Sequence, residues 1–208
     1  MITIVDYGAG NLRSVANAIE ALGRQAQVVE DARGLRGASA IILPGVGAFG
    51  DGMEGLRKRD LVDVLTEEVV GKGKPFLGIC LGMQVLATEG LENGRHLGLG
   101  WIPGTVRRIE PAEKRFKVPH MGWNDVQSER PSRLLEGLPE APVFYFVHSY
   151  YFDPAPDSVD TVTATAWHGA KVPAVIERGH VFGVQFHPEK SQRAGLKVLE
   201  NFLSAAGI

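Results

Sequence analysis

In the first half of the chain, short apolar runs alternate with segments of helical period, and this pattern limits the fold more than any other feature. Ile2 to Val5 reads as a buried strand. Asn11 can then cap a helix whose apolar positions Leu12, Val15, Ala16, Ile19 and Leu22 recur with the helical period, and Gly23 closes it. Ala26 to Val29 is a weaker strand and Ala40 to Leu43 a clearer one. Helical pattern follows from Gly52 to Val70, punctuated by Gly55 and ended near Gly71 and Gly73. Pro75 to Ile79 is the next strand, and Gly82 to Ala87 begins another helix. Strands apolar along their whole length, alternating with helices, imply a parallel sheet covered on both faces.

The second half changes character. Leu99 to Ile109, Val143 to Val147, Thr161 to Ala166, Pro173 to Ile176 and Val181 to Phe186 are strand-like, with little helix until about Gln192 to Leu203. The expectation is a three-layer α/β domain with a β-rich extension. At roughly 150 residues per domain, 208 residues point to one domain, residues 1–208, with a core large enough to need no staples. A formal net charge of −2 argues against a nucleic-acid partner, and the lone Cys80 excludes an internal disulfide and a cysteine-rich zinc site. The amino-terminal MITIVDYGAGN lacks the basic segment of a signal peptide, and no apolar run approaches the roughly 18 residues of a membrane span. The expected address is the cytosol, with no membrane association.

Cys80 lies in GICLGMQ, where a strand meets a helix. A nucleophile there stands on a sharp turn at the carboxyl edge of the sheet, and Gly78 and Gly82 relieve the crowding, as in the G-x-S-x-G elbow. The helix start behind it offers N–H groups to a developing oxyanion. Cysteine is also among the most buried residue types, so this motif alone leaves catalysis and simple packing about evenly balanced. QFHPEKS shifts the balance: the strand HVFGVQF ends at His187, which in a parallel sheet can share an edge with Cys80. Glu189, two residues on across Pro188, lies on the same side if the chain is extended and can orient the imidazole.

PGVGAFG contains a formal G-x-G-x-x-G, but Pro44 interrupts the strand-to-glycine junction and no acidic residue ends the following strand. The loop reads instead as an oxyanion or substrate loop. YGAGNLR fails the dinucleotide pattern at Arg13. His96, His168 and His180 have no ligand-like spacing, and no HExxH, CxxC or acidic pair is present, so neither a metal nor another cofactor is expected. PHMGWN and VHSYY gather aromatic and polar residues in turn-like settings, either as core edges or, for a loop tryptophan such as Trp123, as interface anchors.

With these segments in hand, the chain resembles the class I glutamine amidotransferases. DYGAGNLRSV, PGVGAF, GICLGMQ, PHMGWN, VHSYY and FHPEKS stand in the order seen in the branch that serves imidazole glycerol phosphate synthase, and the resemblance spans essentially the whole chain. It implies a flavodoxin-like three-layer fold with a mostly parallel central sheet, and hydrolysis of glutamine to glutamate and ammonia. Cys80 would be the nucleophile, His187 the base and then the acid, and Glu189 its orienting group. Main-chain N–H groups at Leu81 and in Gly45–Val46–Gly47 would form the oxyanion hole. Gln84 and the main chain around Ser149 and Tyr150 would hold glutamine. The partner implied is a (β/α)8 cyclase subunit in a heterodimer, reached through an interface including Asn11, Trp123 and Lys190, with ammonia passing through a tunnel. The PGVG loop would keep its N–H turned from the oxyanion until the cyclase and its ligand are bound. Two other readings stay open at this point: a glutaminase serving pyridoxal phosphate or anthranilate synthesis, and a non-catalytic flavodoxin-like binding module.

Overall fold

A computed structural model describes all 208 residues. In chain order the elements begin with β1 (Ile2–Val5), α1 (Leu12–Ala21), β2 (Ala26–Val29), α2 (Ala32–Arg36), β3 (Ala40–Gly45), α3 (Phe49–Lys58) and α4 (Leu61–Thr66), which winds on as a π-turn through Glu67–Gly71. There follow β4 (Phe76–Cys80), α5 (Leu81–Gln84) and three strands, β5 (Glu89–Gly90), β6 (His96–Leu97) and β7 (Gly104–Arg108). Then come β8 (His120–Asp125), β9 (Gln127–Ser128), β10 (Val143–His148), β11 (Tyr150–Pro154), β12 (Val162–Trp167), β13 (Lys171–Arg178), β14 (Val181–Val184) and α6 (Gln192–Ala205).

One sheet of eight strands, in the order β2-β1-β3-β4-β14-β13-β12-β9, forms the spine. Its first five strands run parallel and the rest antiparallel, so the expected parallel core and β-rich extension are one continuous sheet. Apolar residues on both faces of β1, β3, β4 and β14 are buried, as the uninterrupted runs required, whereas the edge strand β2 leaves Val28 exposed. Over one face α1, α6 and β10 pack Val15, Ile19, Phe146, Val198 and Phe202 against Ile4, Ile42 and Leu77. Over the other, α2 to α5 pack Leu35, Phe49, Met53, Leu56 and Leu65 against Ile41, Leu43 and Phe76. A four-stranded sheet, β11-β7-β5-β6, and the pair β10-β8 stand beside the carboxyl edge of the main sheet.

The structure corrects four local expectations. The helical stretch after Gly52 is broken at Asp60, in the left-handed region at φ 54°, and not at Gly55. Gly55 continues α3, because any Cβ there would run into the Tyr7 carbonyl. β3 continues through Pro44, which pairs with Ile79, while its pairing with β1 has already ended at Ile42; the missing N–H therefore costs no bond on that side. PHMGWN and VHSYY are not turns: they supply β8, β10 and β11, with His120 opposite His148 and Trp123 opposite Tyr145. Finally, the ladder of β14 ends at Val184, three residues before His187.

Candidate active site

Cys80 is the last residue of β4 and the residue before α5, with φ 54° and ψ −108°. A side chain gains nothing locally from that conformation, which costs on the order of 1–3 kcal/mol and persists only where the surroundings impose it. Two glycines make it possible. A Cβ at Gly78 would strike the Gly82 carbonyl, and a Cβ at Gly82 would strike the carbonyl of Leu43 on β3. The elbow is therefore pressed against its neighbouring strand, with the Cys80 side chain at the sheet's carboxyl edge.

β14 lies beside β4, pairing Gly183 with Gly78 and Val184 with Ile79, so the chain leaving β14 arrives next to the elbow. His187 is set there by its own N–H donating to the Tyr145 carbonyl at 2.9 Å, and by the Ser191 hydroxyl donating to its carbonyl at 2.6 Å. Phe186 stacks on Phe144 with centroids 3.9 Å apart and anchors the segment in the core. Glu189 does reach the imidazole, its Oε1 lying 2.8 Å from Nδ1. It does so from a 3-10 turn over Pro188–Lys190, not from an extended run; Pro188 sets the turn and folds the carboxylate back. Both side chains are buried, and His187 Nε2 is left without a hydrogen-bond partner. Burial works against charge on His187, but the Cys80 sulfur and the Glu189 carboxylate outweigh it and hold the imidazole up to about 9. A nucleophile on one chain segment and a base with its orienting carboxylate on another are thus brought together.

Beside them opens a cavity of about 460 Å³ lined by Cys80, Leu81, Gln84, Val46, Gly47, Ala48, Glu92 and Val147 to Tyr150. Of the residues expected around substrate, Val46, Gly47, Leu81, Gln84, Ser149 and Tyr150 all face it. Gly45 does not. It is the final residue of β3, opposite Cys80 in register, and its face is closed by the Tyr7 phenol. Gln84 donates from Nε2 to the Tyr150 carbonyl at 2.8 Å and to Gln185 Oε1 at 3.0 Å, so these substrate-side groups also brace one another.

Three features escaped sequence reasoning. Glu92 enters the cavity from the loop after β5 and accepts the Phe49 N–H that opens α3, at 2.9 Å. His148 lines the cavity and meets His120 at 3.0 Å. Tyr7, fully buried, presents its hydroxyl without a partner, and burial foremost, with Cys80 adding to it, raises its phenol. Tyr7, His120 and His148 lie in YGAGNLR, PHMGWN and VHSYY, segments that stand out for other reasons, while Glu92 carries no local signal. His96, His168 and His180 join no ligand set, and no group of three or more metal-binding side chains occurs anywhere in the structure.

The three expected interface residues lie on one side of the site. Trp123 is half exposed on β8 beside the more exposed Met121, and it meets Tyr145 edge to face at 5.9 Å. Lys190 lies over the same ring at 6.0 Å. Asn11 caps α1, accepting the Ser14 N–H at 3.3 Å, and α1 packs against the turn carrying Lys190. The carbonyl of Tyr145 is the one that holds His187, so this exposed patch and the base share a residue.

A model of the class-I glutamine amidotransferases matches residues 3–206. The chain is 51% identical to the imidazole glycerol phosphate synthase subunit HisH of Desulfitobacterium hafniense, covering 97% of this chain and 93% of that one. It is 47% identical to the protein of the same name from Rhodospirillum rubrum, covering 97% of each. Among solved structures it is similar in fold to a glutamine amidotransferase at TM-score 0.77, with 23% identity and all of both chains covered. It is similar also to a chain of PurLQS from Thermotoga maritima at TM-score 0.76, with 21% identity, covering 98% of this chain and 97% of that one. No helix of the structure is long and apolar enough to cross a membrane.

Proposed function

The chain belongs to the class-I glutamine amidotransferase family, and on that premise we propose that it is the glutaminase subunit of an imidazole glycerol phosphate synthase in histidine biosynthesis. It hydrolyses glutamine to glutamate and ammonia. The ammonia goes to a cyclase subunit, which forms imidazole glycerol phosphate and aminoimidazole carboxamide ribotide. The near-full-length identity to two such subunits supports the choice of synthase. The observation that carries the chemistry is the buried Cys80–His187–Glu189 arrangement, whose Cys80 lines the cavity.

In this reading the Cys80 thiol proton passes to His187 as Sγ attacks the side-chain carbonyl carbon of glutamine, and the carbonyl π electrons move to oxygen. Main-chain N–H groups of Leu81 and the Val46–Gly47 loop receive that oxyanion. On collapse the C–N bond breaks and His187 delivers the proton with which the amide nitrogen leaves as ammonia. His187 then takes a proton from water, whose oxygen attacks the thioester; the C–S bond breaks, releasing glutamate and restoring Cys80. Glu189 keeps Nδ1–H directed at itself and Nε2 toward the sulfur. Gln84 and the Ser149–Tyr150 main chain hold the substrate. All 208 residues act as one amidotransferase domain in the cytoplasm, docked on the cyclase through Asn11, Trp123 and Lys190.

Mixing the chain with such a cyclase and comparing glutamine with ammonium salt as nitrogen source tests the assignment. Product formation from glutamine is expected, and its loss in Cys80→Ala with ammonium-dependent turnover intact. If only ammonium supports the wild-type reaction, the proposal fails. The loop switch is tested by glutaminase rates with and without cyclase and its nucleotide ligand; equal rates would remove it.

A further inference from the structure

The Tyr150 carbonyl lies between two hydrogen-bonding branches, and because a carbonyl only accepts, it fixes the direction of both. On one side His148 Nδ1 lies 2.8 Å from it and must carry the proton. A neutral His148 then has only a lone pair on Nε2, so the 3.0 Å contact with His120 runs from His120 Nδ1–H to His148. His120 Nε2 is in turn an acceptor, filled by the Asn124 side-chain amide at 3.1 Å. Burial and the neighbouring histidines keep both imidazoles neutral, His120 down to about 3 and His148 to about 4, as this assignment requires.

On the other side Gln84 must turn its NH2 toward the Tyr150 carbonyl, and its second N–H meets Gln185 Oε1 at 3.0 Å. With its oxygen engaged, the wholly buried Gln185 is left with one orientation, in which Nε2 points at Cys80 Sγ, 3.6 Å away. Glutamine and histidine flips are not free choices here; each is forced by the hydrogen-bond partner before it.

We propose that Gln185 is the hydrogen-bond donor that holds the Cys80 sulfur in place facing His187, and that His148, by fixing the Tyr150 carbonyl that orients Gln84, is the positioning residue that aims it. The inference rests on Cys80 being the nucleophile. It assigns Gln185, which lies two residues before the base, a part that neither the elbow nor the Cys–His–Glu arrangement supplies. It also gives the buried histidine pair a purpose apart from proton transfer: its donors, running from β8 beside the exposed Trp123, meet those of Gln84 at the Tyr150 carbonyl, and from Gln84 the bonds run on to the reacting atom. The ionisable groups around the sulfur are His187 and the Tyr7 phenol, with Glu92 and His148 on the wall of the same cavity; of these only His148, which is neutral in the fold, is altered by the substitutions below.

Because Cys80 is the sole cysteine, its alkylation by iodoacetamide across pH reports the sulfur directly, without substrate. In the full chain, Gln185→Met keeps the shape and removes the donor. It should move the alkylation profile toward higher pH and slow the reaction near neutrality about tenfold, the loss of one hydrogen bond to a charged atom. His148→Phe should do the same, whereas His148→Asn, which is smaller but can still donate to the Tyr150 carbonyl, should restore most of the rate. A purely structural role predicts the reverse order, the larger ring filling space better. A measurement without substitution guards against misfolding: the Gln185 side-chain amide signal in 15N spectra should shift with pH in step with alkylation. A wild-type profile in Gln185→Met, no rescue by His148→Asn, or an amide signal indifferent to the sulfur's titration would each overturn the proposal. If instead wild-type Cys80 resists a glutamine-analogue electrophile in the cyclase complex, it is the nucleophile assignment itself that falls.

Discussion

Acid should destabilise this protein through His120 and His148. In the fold both stay neutral, burial being the main cause and neighbouring histidines the next, with His120 held down to about 3 and His148 to about 4. For His148 the hydrogen bond to the Tyr150 carbonyl works in the other direction and is outweighed. Unfolded, each imidazole titrates near its ordinary value of about 6.5. Between those values the unfolded chain binds protons that the folded chain refuses. Stability is therefore complete above about pH 7.5, falls as the pH drops through 6.5, and levels off only below the folded values. At pH 5 each unfolded imidazole gains about 2 kcal/mol, so the pair costs about 4 kcal/mol. That figure requires only that both remain neutral in the fold at pH 5. His187 has the opposite sign. Held up to about 9, it contributes stability that is complete below pH 6.5 and fades as the pH rises toward 9. Between pH 7.5 and 5 it returns about 1.4 kcal/mol of the loss.

Urea unfolding of wild type and His120→Gln at these two pH values isolates the effect. At pH 7.5 the variant loses the bonds to His148 and Asn124 and should be less stable by about 1–3 kcal/mol. It no longer carries the acid penalty at that position, so the gap between the two proteins should close by about 2 kcal/mol at pH 5. His187 and the carboxylates are common to both proteins and cancel. Two stability curves that stay parallel from pH 7.5 to 5 would mean that His120 takes up its proton in the fold as readily as in the unfolded chain, and that its burial does not keep it neutral.

Three further outcomes follow from the site. Cys80→Gly should be inactive yet more stable than Cys80→Ala by about 1 kcal/mol in thermal melts, since glycine relieves the positive φ that alanine retains. Gly82→Ala should be lost to misfolding or destabilised by more than about 3 kcal/mol, because its Cβ would meet the rigid main chain of β3; soluble yield and melting temperature read this out. Glu189→Gln should keep the fold but lower glutaminase kcat on the order of 10²-fold, since the imidazolium that forms in the reaction loses its carboxylate; ammonia release in the cyclase complex measures it.

Much of the site was legible in one dimension because its chemistry has local requirements. The elbow needs small residues flanking Cys80, so Gly78 and Gly82 mark it. His187 and Glu189 stand two residues apart because one tight turn joins them. The alternation in the first half announced a parallel sheet because strands covered on both faces must be apolar throughout. The second half was legible as strands, but not in its pairing. PHMGWN and VHSYY read as turns because their strand pattern is partly inverted: polar His120 and His148 face inward while apolar Met121 and Trp123 face outward.

What the sequence determined by itself is therefore the set of local devices: the glycines of the elbow, the turn that carries base and carboxylate, the cap at Asn11, and the family to which these segments belong. What only the tertiary structure decided is every relation carried by strand pairing. β14 beside β4 brings His187 to Cys80, and β8 against β10 sets His120 on His148. The chain returning near Tyr150 lets one carbonyl orient two side chains on opposite sides. His120 and His148 are 28 positions apart, Gln84 and Tyr150 66, and Cys80 and Gln185 105, and no periodicity encodes which strand lies beside which. Burial then completes the site, because only in the folded interior do the His120 and His148 imidazoles stay neutral while that of His187 stays charged.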